Sequence, residues 1–273
     1  MGEKRLRKQR FFEDHPSCCF CGGETAATTE DHQPARVLFQ GRQWPEGFVF
    51  PACEPCNKIS SDSEKLVSLL IHGESGSGNR SKYQKLILSI RREHPDLISS
   101  MLPKNANDIR RILRRKGISK PQGLAFRDIP IVSLDPDFWT PHFELFARKI
   151  LLALHYQCFG KALSSKGKID FWIHTNADQL AGKFPKEIIE LAQNLALPVR
   201  QKTPLHEQFA VRWSVVPQHD TALFATAFHG RFFVSGITTE TPEVFASKKA
   251  QAFMSEPFRH EEHCSFETIN CSE

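Results

Sequence analysis

The chain has 273 residues, a formal net charge of +5 and a hydrophobic fraction of 40%. This composition excludes a wholly disordered chain, and no apolar run is long enough to cross a bilayer. The start, MGEKRLRKQR, is basic but no apolar signal stretch follows it, so we expect a cytoplasmic protein without membrane contact. The mild positive charge permits a nucleic-acid partner without requiring one.

A stretch rich in glycine and serine at residues 73–79 is the clearest boundary in the sequence. Such residues leave the backbone free, which is typical of a flexible linker. We therefore predict a small cysteine-rich domain at 11–72, a larger domain at 80–257 and an acidic tail at 258–273.

The first part of the chain contains few regular elements. A short strand is expected at Phe48–Phe50, ending at Pro51. Ser61 and Glu64 match a capping box, which predicts a helix from there toward Gly73. A helical turn is also expected near Cys53, either separate from this helix or continuous with it through a kink.

The second part alternates helices and strands. Apolar spacing predicts helices at 83–90, 107–116, 141–159 and 185–195. Runs of β-branched and aromatic residues predict strands at 129–134, 169–174, 209–216, 223–228 and 231–237. His229-Gly230 fits a tight hairpin turn between the last two strands. Together these elements predict an α+β fold with antiparallel strands.

Four of the eight cysteines form two C-x-x-C pairs, which are Cys18 with Cys21 and Cys53 with Cys56. Four thiolates suit a tetrahedral Zn²⁺, and Gly22-Gly23 permits the sharp reversal that the first pair needs. Cys19 could replace Cys18, although C-x-C spacing presents two sulfurs less well. The alternative is that the pairs are unrelated buried cysteines.

The residues between and after the cysteine pairs complete a pattern. They read EDHQP at residues 30–34 and CEPCNK at residues 53–58. With CCFC at 18–21, this pattern resembles the HNH endonuclease family over residues 15 to 65. The resemblance implies a small ββα-metal unit with a structural zinc. The predicted elements after residue 80 place a larger mixed α/β domain with antiparallel strands behind it.

The resemblance also implies a chemistry and a set of roles. His32 would be the general base that activates water, while Asp31 and Asn57 would hold a catalytic Mg²⁺ or Mn²⁺. The expected activity is hydrolysis of DNA phosphodiester bonds, in a defence or mobile-element context. The zinc would pin a region too small to build a large core and would not touch the substrate.

One feature departs from the family pattern. The asparagine that the family carries shortly before the second cysteine pair is replaced by Gly47 or Phe48. Gln40, Gln43 or a backbone carbonyl could orient His32 instead. Two alternatives therefore stay open, a catalytically inactive zinc-containing DNA-binding module and a zinc-stabilised protein-interaction adaptor.

Two groups of cations are candidates for nucleic-acid contact. One flanks the motif, and the other forms a ridge on the helix predicted at 107–116, where residues four apart share a face. These candidates are Arg36, Arg42, Lys58, Arg110, Arg111, Arg114 and Arg115. The alternative is an ordinary solvated surface, and the second domain is also a candidate for contact with a protein partner.

Overall fold

The structure is a computed structural model, and it describes residues 2–40, 44–75, 80–129, 131–185, 205, 207–241 and 243. Within these residues the chain is a mixed α+β protein with two antiparallel sheets, as the sequence predicts. The helix predicted at 185–195 and the acidic tail lie outside the described residues, apart from Pro185 at the start of that helix.

The first part of the chain forms a two-stranded hairpin between helices. Its elements are α1 (Glu3–Asp14), β1 (Thr29–His32), β2 (Val49–Ala52), α2 (Glu54–Ile59) and α3 (Ser61–Ser75). β1 and β2 pair antiparallel, with Asp31 opposite Phe50 and His32 opposite Val49. α2 and α3 are separate helices that meet at Ser60, so the expected helical turn near Cys53 is present.

The second part begins with three helices, α4 (Arg80–Glu93), α5 (Leu97–Met101) and α6 (Ala106–Lys116). α6 has the predicted boundaries within one residue because Asn105 caps it and Gly117 ends it with φ of +72°. The remaining elements are α7 (Pro136–Phe159), β3 (Lys168–Thr175), α8 (Asn176–Leu180), β4 (Phe209–Val216), β5 (Thr221–Phe228) and β6 (Phe232–Thr239).

The larger sheet has the strand order β3-β6-β5-β4 with every neighbouring pair antiparallel. The turn at His229-Gly230 joins β5 to β6 as predicted, and both residues have positive φ. α7 lies close against this sheet at Gly236, where an added Cβ would meet Leu151 Cδ1 at 2.5 Å. A side chain there would push the helix from the sheet.

The core is continuous across the predicted linker. One cluster of buried side chains includes Phe50 and Val67 from the first part and Phe146, Ile150 and Phe228 from the second. α3 also packs along α7. The division at residues 73–79 stays a prediction, and α3 runs through its first three residues.

Three local predictions differ from the structure. Residues 129 and 131–134 form no strand, because Ile129 and Ile131 pack with α6 while Val132 and Leu134 pack around Trp139. α7 begins at Pro136 rather than Pro141, since Asp135 accepts a hydrogen bond from Asp137 N and caps the helix.

The capping box at Ser61 is also absent. Ser61 is the first helical residue of α3, so Glu64 lies one position too far along the helix. The Glu64 carboxylate instead accepts a hydrogen bond from Ser60 Oγ at 2.7 Å.

Candidate functional site

The two cysteine pairs converge at the base of the hairpin. Cys18, Cys21, Cys53 and Cys56 are buried, and their sulfur atoms lie within 4.8 Å of one another. Four thiolates at this separation suit a tetrahedral metal ion, and zinc prefers sulfur ligands of this kind. The structure therefore brings together the four ligands that the sequence predicts for Zn²⁺, with Cys18 rather than Cys19 in the group.

Backbone geometry explains how the first pair reaches the second. Gly22 and Gly23 have φ of +69° and +79°, which allows the chain to reverse after Cys21. Cys19 N donates to Pro51 O at 2.9 Å, which holds the first pair against β2. Cys53 then immediately precedes α2, so its first turn carries Cys56 back to the same point.

The thiol protons are unequally shared within this group. Hydrogen bonds from the Cys18 and Cys56 side chains lower the pKa of Cys21 far below its usual range. The hydrogen bond shared with Cys21 raises the pKa of Cys18 to about 11. A bound cation would favour the thiolate form of all four sulfurs, because metal ligation requires deprotonated sulfur.

His32 occupies the end of β1 on the outer side of the hairpin. Its Nε2 lies within hydrogen-bonding distance of Arg36 Nη2, and its ring meets the Trp44 ring edge to face at 5.7 Å. The Arg36 guanidinium also stacks 4.1 Å from the Trp44 ring centroid. Partial burial and the neighbouring Arg36 charge lower the pKa of His32, so its imidazole is neutral at pH 7.

Asp31 points to the opposite side of the strand and is buried, with 6% of its surface exposed. Its Oδ2 lies 2.7 Å from the Nζ of Lys149, a residue of α7 that is itself almost completely buried. Lys149 Nζ also lies 3.3 Å from Glu64 Oε1 and donates to Ser60 Oγ. Burial disfavours the charged amine, but the carboxylates of Glu64 and Asp31 raise the pKa of Lys149.

Asn57 ties α2 to the hairpin. Its Nδ2 donates to Thr29 Oγ1 at 3.0 Å, and Thr29 Oγ1 donates to Ala52 O at 3.1 Å. The side-chain hydrogen bond of Asn57 and the ion pair of Asp31 therefore lead to different partners. A shared divalent ion on these two residues stays a prediction.

The stretch in which the HNH family carries its asparagine forms the turn into β2. Gly47 makes this turn with φ of +82°, and Phe48 is buried against Phe50 and Phe209. Neither residue offers an amide to His32. Gln43 lies outside the described residues, and the backbone N of Gln40 donates to Gln208 Oε1.

The predicted cations are spread over two surfaces. Arg36 and Lys58 are exposed near the hairpin, while Arg42 lies outside the described residues. On α6 the side chains of Arg110, Arg111, Arg114 and Arg115 are exposed opposite the buried Ile109 and Leu113. Arg111 pairs with Asp108 at 2.6 Å, and Arg110 lies over the Phe126 ring.

Sequence reasoning missed Lys149 and its partner Ser60, and it missed Gln33, whose amide donates to Glu64. A single lysine in the middle of a long apolar helix was the available signal, because charged side chains are rarely buried without a partner.

Among the described helices, none has both the length and the apolar character to span a membrane.

Comparison with known proteins adds no relative. No protein-family model, no curated protein and no solved structure matches the chain. The fold and the site therefore define the class directly, an α+β protein with a four-cysteine centre suited to structural zinc.

Proposed function

We propose that the chain is an HNH-type endonuclease that hydrolyses phosphodiester bonds in DNA. The observation that carries the proposal is the position of His32, whose partly exposed imidazole lies at the end of β1 with Nε2 beside the Arg36 guanidinium, on the hairpin whose other strand leads to Cys53 of the four-cysteine centre. A positioned neutral imidazole can take a proton from water, and a guanidinium can bind a phosphate oxygen.

The roles of the chain's own residues follow from these contacts. The Arg36 guanidinium cannot lose its proton, so it donates to His32 Nε2 and leaves Nδ1 to carry the imidazole proton. A phosphate that draws Arg36 away exposes the Nε2 lone pair to a water molecule. Zn²⁺ bound to the four thiolates would supply structural cross-linking, since it fills its coordination sphere with sulfur.

The predicted Mg²⁺ or Mn²⁺ fits this arrangement poorly at Asp31. The carboxylate is buried and already pairs with an ammonium, whereas a divalent ion needs free oxygen ligands and keeps several waters. No step of the proposed chemistry is therefore assigned to that ion. The assay below measures whether cleavage requires that ion.

The test is conversion of supercoiled plasmid to nicked or linear DNA. Zinc-loaded protein is incubated with Mg²⁺, with Mn²⁺ and with EDTA, and its zinc content is measured after each incubation because EDTA can remove structural zinc. We expect wild-type cleavage, loss of cleavage in His32→Ala, and retained cleavage in the control His219→Ala. His219 is exposed and lies between β4 and β5.

A second candidate function is DNA binding without cleavage. It is favoured by the same Asp31–Lys149 ion pair, which occupies a carboxylate that the family uses for its ion. This candidate predicts salt-sensitive DNA binding and no product in any of the ion conditions. Such a result would overturn the endonuclease proposal and leave the binding role.

A further inference from the structure

We propose that Lys149 is the resident cation of the carboxylate cluster beneath β1, and that Asp31 consequently takes no divalent ion in this protein. Asp31 would then be a positioning residue that fixes the strand carrying His32. This inference concerns ion occupancy at Asp31 and does not depend on cleavage of DNA.

The first support is the set of atoms around Lys149 Nζ. Asp31 Oδ2 lies at 2.7 Å, Glu64 Oε1 at 3.3 Å and the Asn57 backbone oxygen at 3.5 Å, and Ser60 Oγ completes the group. All four ligands are oxygens from β1, α2, α3 and the residue between the helices. Convergent oxygens are what a hard cation requires, and the ammonium occupies their centre.

The second support is the set of protein donors around Glu64. Glu64 Oε1 accepts from Ser60 Oγ and from Gln33 Nε2, both at 2.7 Å, in addition to its contact with Lys149. Asp31 Oδ1 lies 3.5 Å from the same Gln33 amide. Glu64 has thus satisfied much of its acceptor capacity with protein donors, so a divalent ion would have to displace them.

Charge and burial give the third support. The Lys149 side chain is 2% exposed and that of Asp31 7% exposed, so water screens their interaction little. A divalent cation bound at Asp31 would lie within a few ångströms of the ammonium, where like charges repel strongly. Either cation therefore excludes the other.

The ion pair also joins the two predicted domains. Lys149 belongs to α7, beyond the predicted linker, whereas its four partners belong to the first part of the chain. α7 thus supplies the counter-ion for two carboxylates that belong to the hairpin and to α3. The second part thus completes the site of the first.

The decisive experiment measures Mn²⁺ binding by electron paramagnetic resonance on the zinc-loaded full chain. We expect wild type and Asp31→Asn to bind the same number of Mn²⁺ ions with affinities that agree within about twofold. A Mn²⁺ ion that wild type binds and Asp31→Asn loses would overturn the proposal. Because no DNA is present, a failure here is distinguishable from a failure of the endonuclease proposal.

A gain-of-binding variant supplies an independent readout. Lys149→Met removes the charge and keeps a side chain of similar length. We expect this variant to bind one Mn²⁺ more than wild type, with an affinity at the new site at least about tenfold higher than wild type has for any Mn²⁺ there. The gain should disappear in Lys149→Met with Asp31→Asn, and Lys149→Arg should behave as wild type. A folded Lys149→Met protein without the gain would overturn the proposal, and if it does not fold, the wild-type comparison decides.

Discussion

Replacing Lys149 by methionine should destabilise the protein strongly, because it leaves the buried Asp31 carboxylate and the partly buried Glu64 carboxylate without their counter-ion. The Nζ–Oδ2 distance of 2.7 Å corresponds to an attraction of about 6 kcal/mol at an effective dielectric constant of about 20. The cost of desolvating both ions offsets much of this attraction. Removing a single partner is nevertheless expensive, about 3–5 kcal/mol, since the remaining charge stays buried.

The assay is urea unfolding of zinc-loaded protein, followed by circular dichroism, for Lys149→Met, Asp31→Asn and the double variant. The double variant should be more stable than the sum of the two single losses predicts, because it removes both charges of the pair. Lys58→Met is the matched control. Lys58 and Glu54 form an ion pair of similar length, but their side chains are 74% and 63% exposed. The urea midpoint of Lys58→Met should therefore barely differ from that of wild type.

Losses that simply add in the double variant would refute the coupling between the two residues. They would mean that Lys149 and Asp31 do not interact energetically in solution. A Lys149→Met midpoint equal to that of the Lys58→Met control would have the same meaning, since burial would then have no effect on the pair.

Three further predictions test other parts of the structure. Cys53→Ser should release zinc, detected with a chromophoric chelator, and unfold the hairpin, whereas unchanged zinc content would exclude the four-cysteine site. Burial lowers the pKa of His155 to about 4 despite nearby Glu240 and Asp220, with Lys161 adding to the shift. Stability should therefore fall as pH drops from about 6.5 through 4, because the unfolded chain binds the proton first, and His155→Gln should flatten this part of the profile. Replacing the four exposed arginines of α6 by glutamine should weaken DNA binding and reduce its salt dependence; these are Arg110, Arg111, Arg114 and Arg115. An unchanged slope of log affinity against log salt concentration would exclude that helix from the DNA interface.

The features that the sequence predicts well have strong local signals. The C-x-x-C spacing places two sulfurs on one turn, so each pair of ligands follows from a local pattern, and the structure brings the two pairs together. α6 has an apolar stripe, an asparagine cap and a terminal glycine, and its boundaries follow from them. The hairpin turn at His229-Gly230 is similarly local.

The features that escape sequence-based prediction depend on distant residues. β1 reads Thr-Glu-Asp-His, which lacks an apolar alternation because Asp31 is buried through an ion pair rather than through hydrophobicity. The run at 129–134 has a strand composition, but its apolar side chains serve two separate helical clusters, and none of the described strands pairs with it. The role of Lys149 depends on the packing of α7 on α3, which no local pattern specifies.

The central claim is that His32 acts as the base of a DNA-cleaving site. The most direct measurement is the single-turnover rate of plasmid nicking by wild type and by His32→Ala at equal zinc content. We expect the variant to be at least about 100-fold slower, the lower range of a general base's contribution, with its thermal stability unchanged. Equal rates in the two proteins, or no wild-type product with Mg²⁺, Mn²⁺ or neither ion, would contradict the claim.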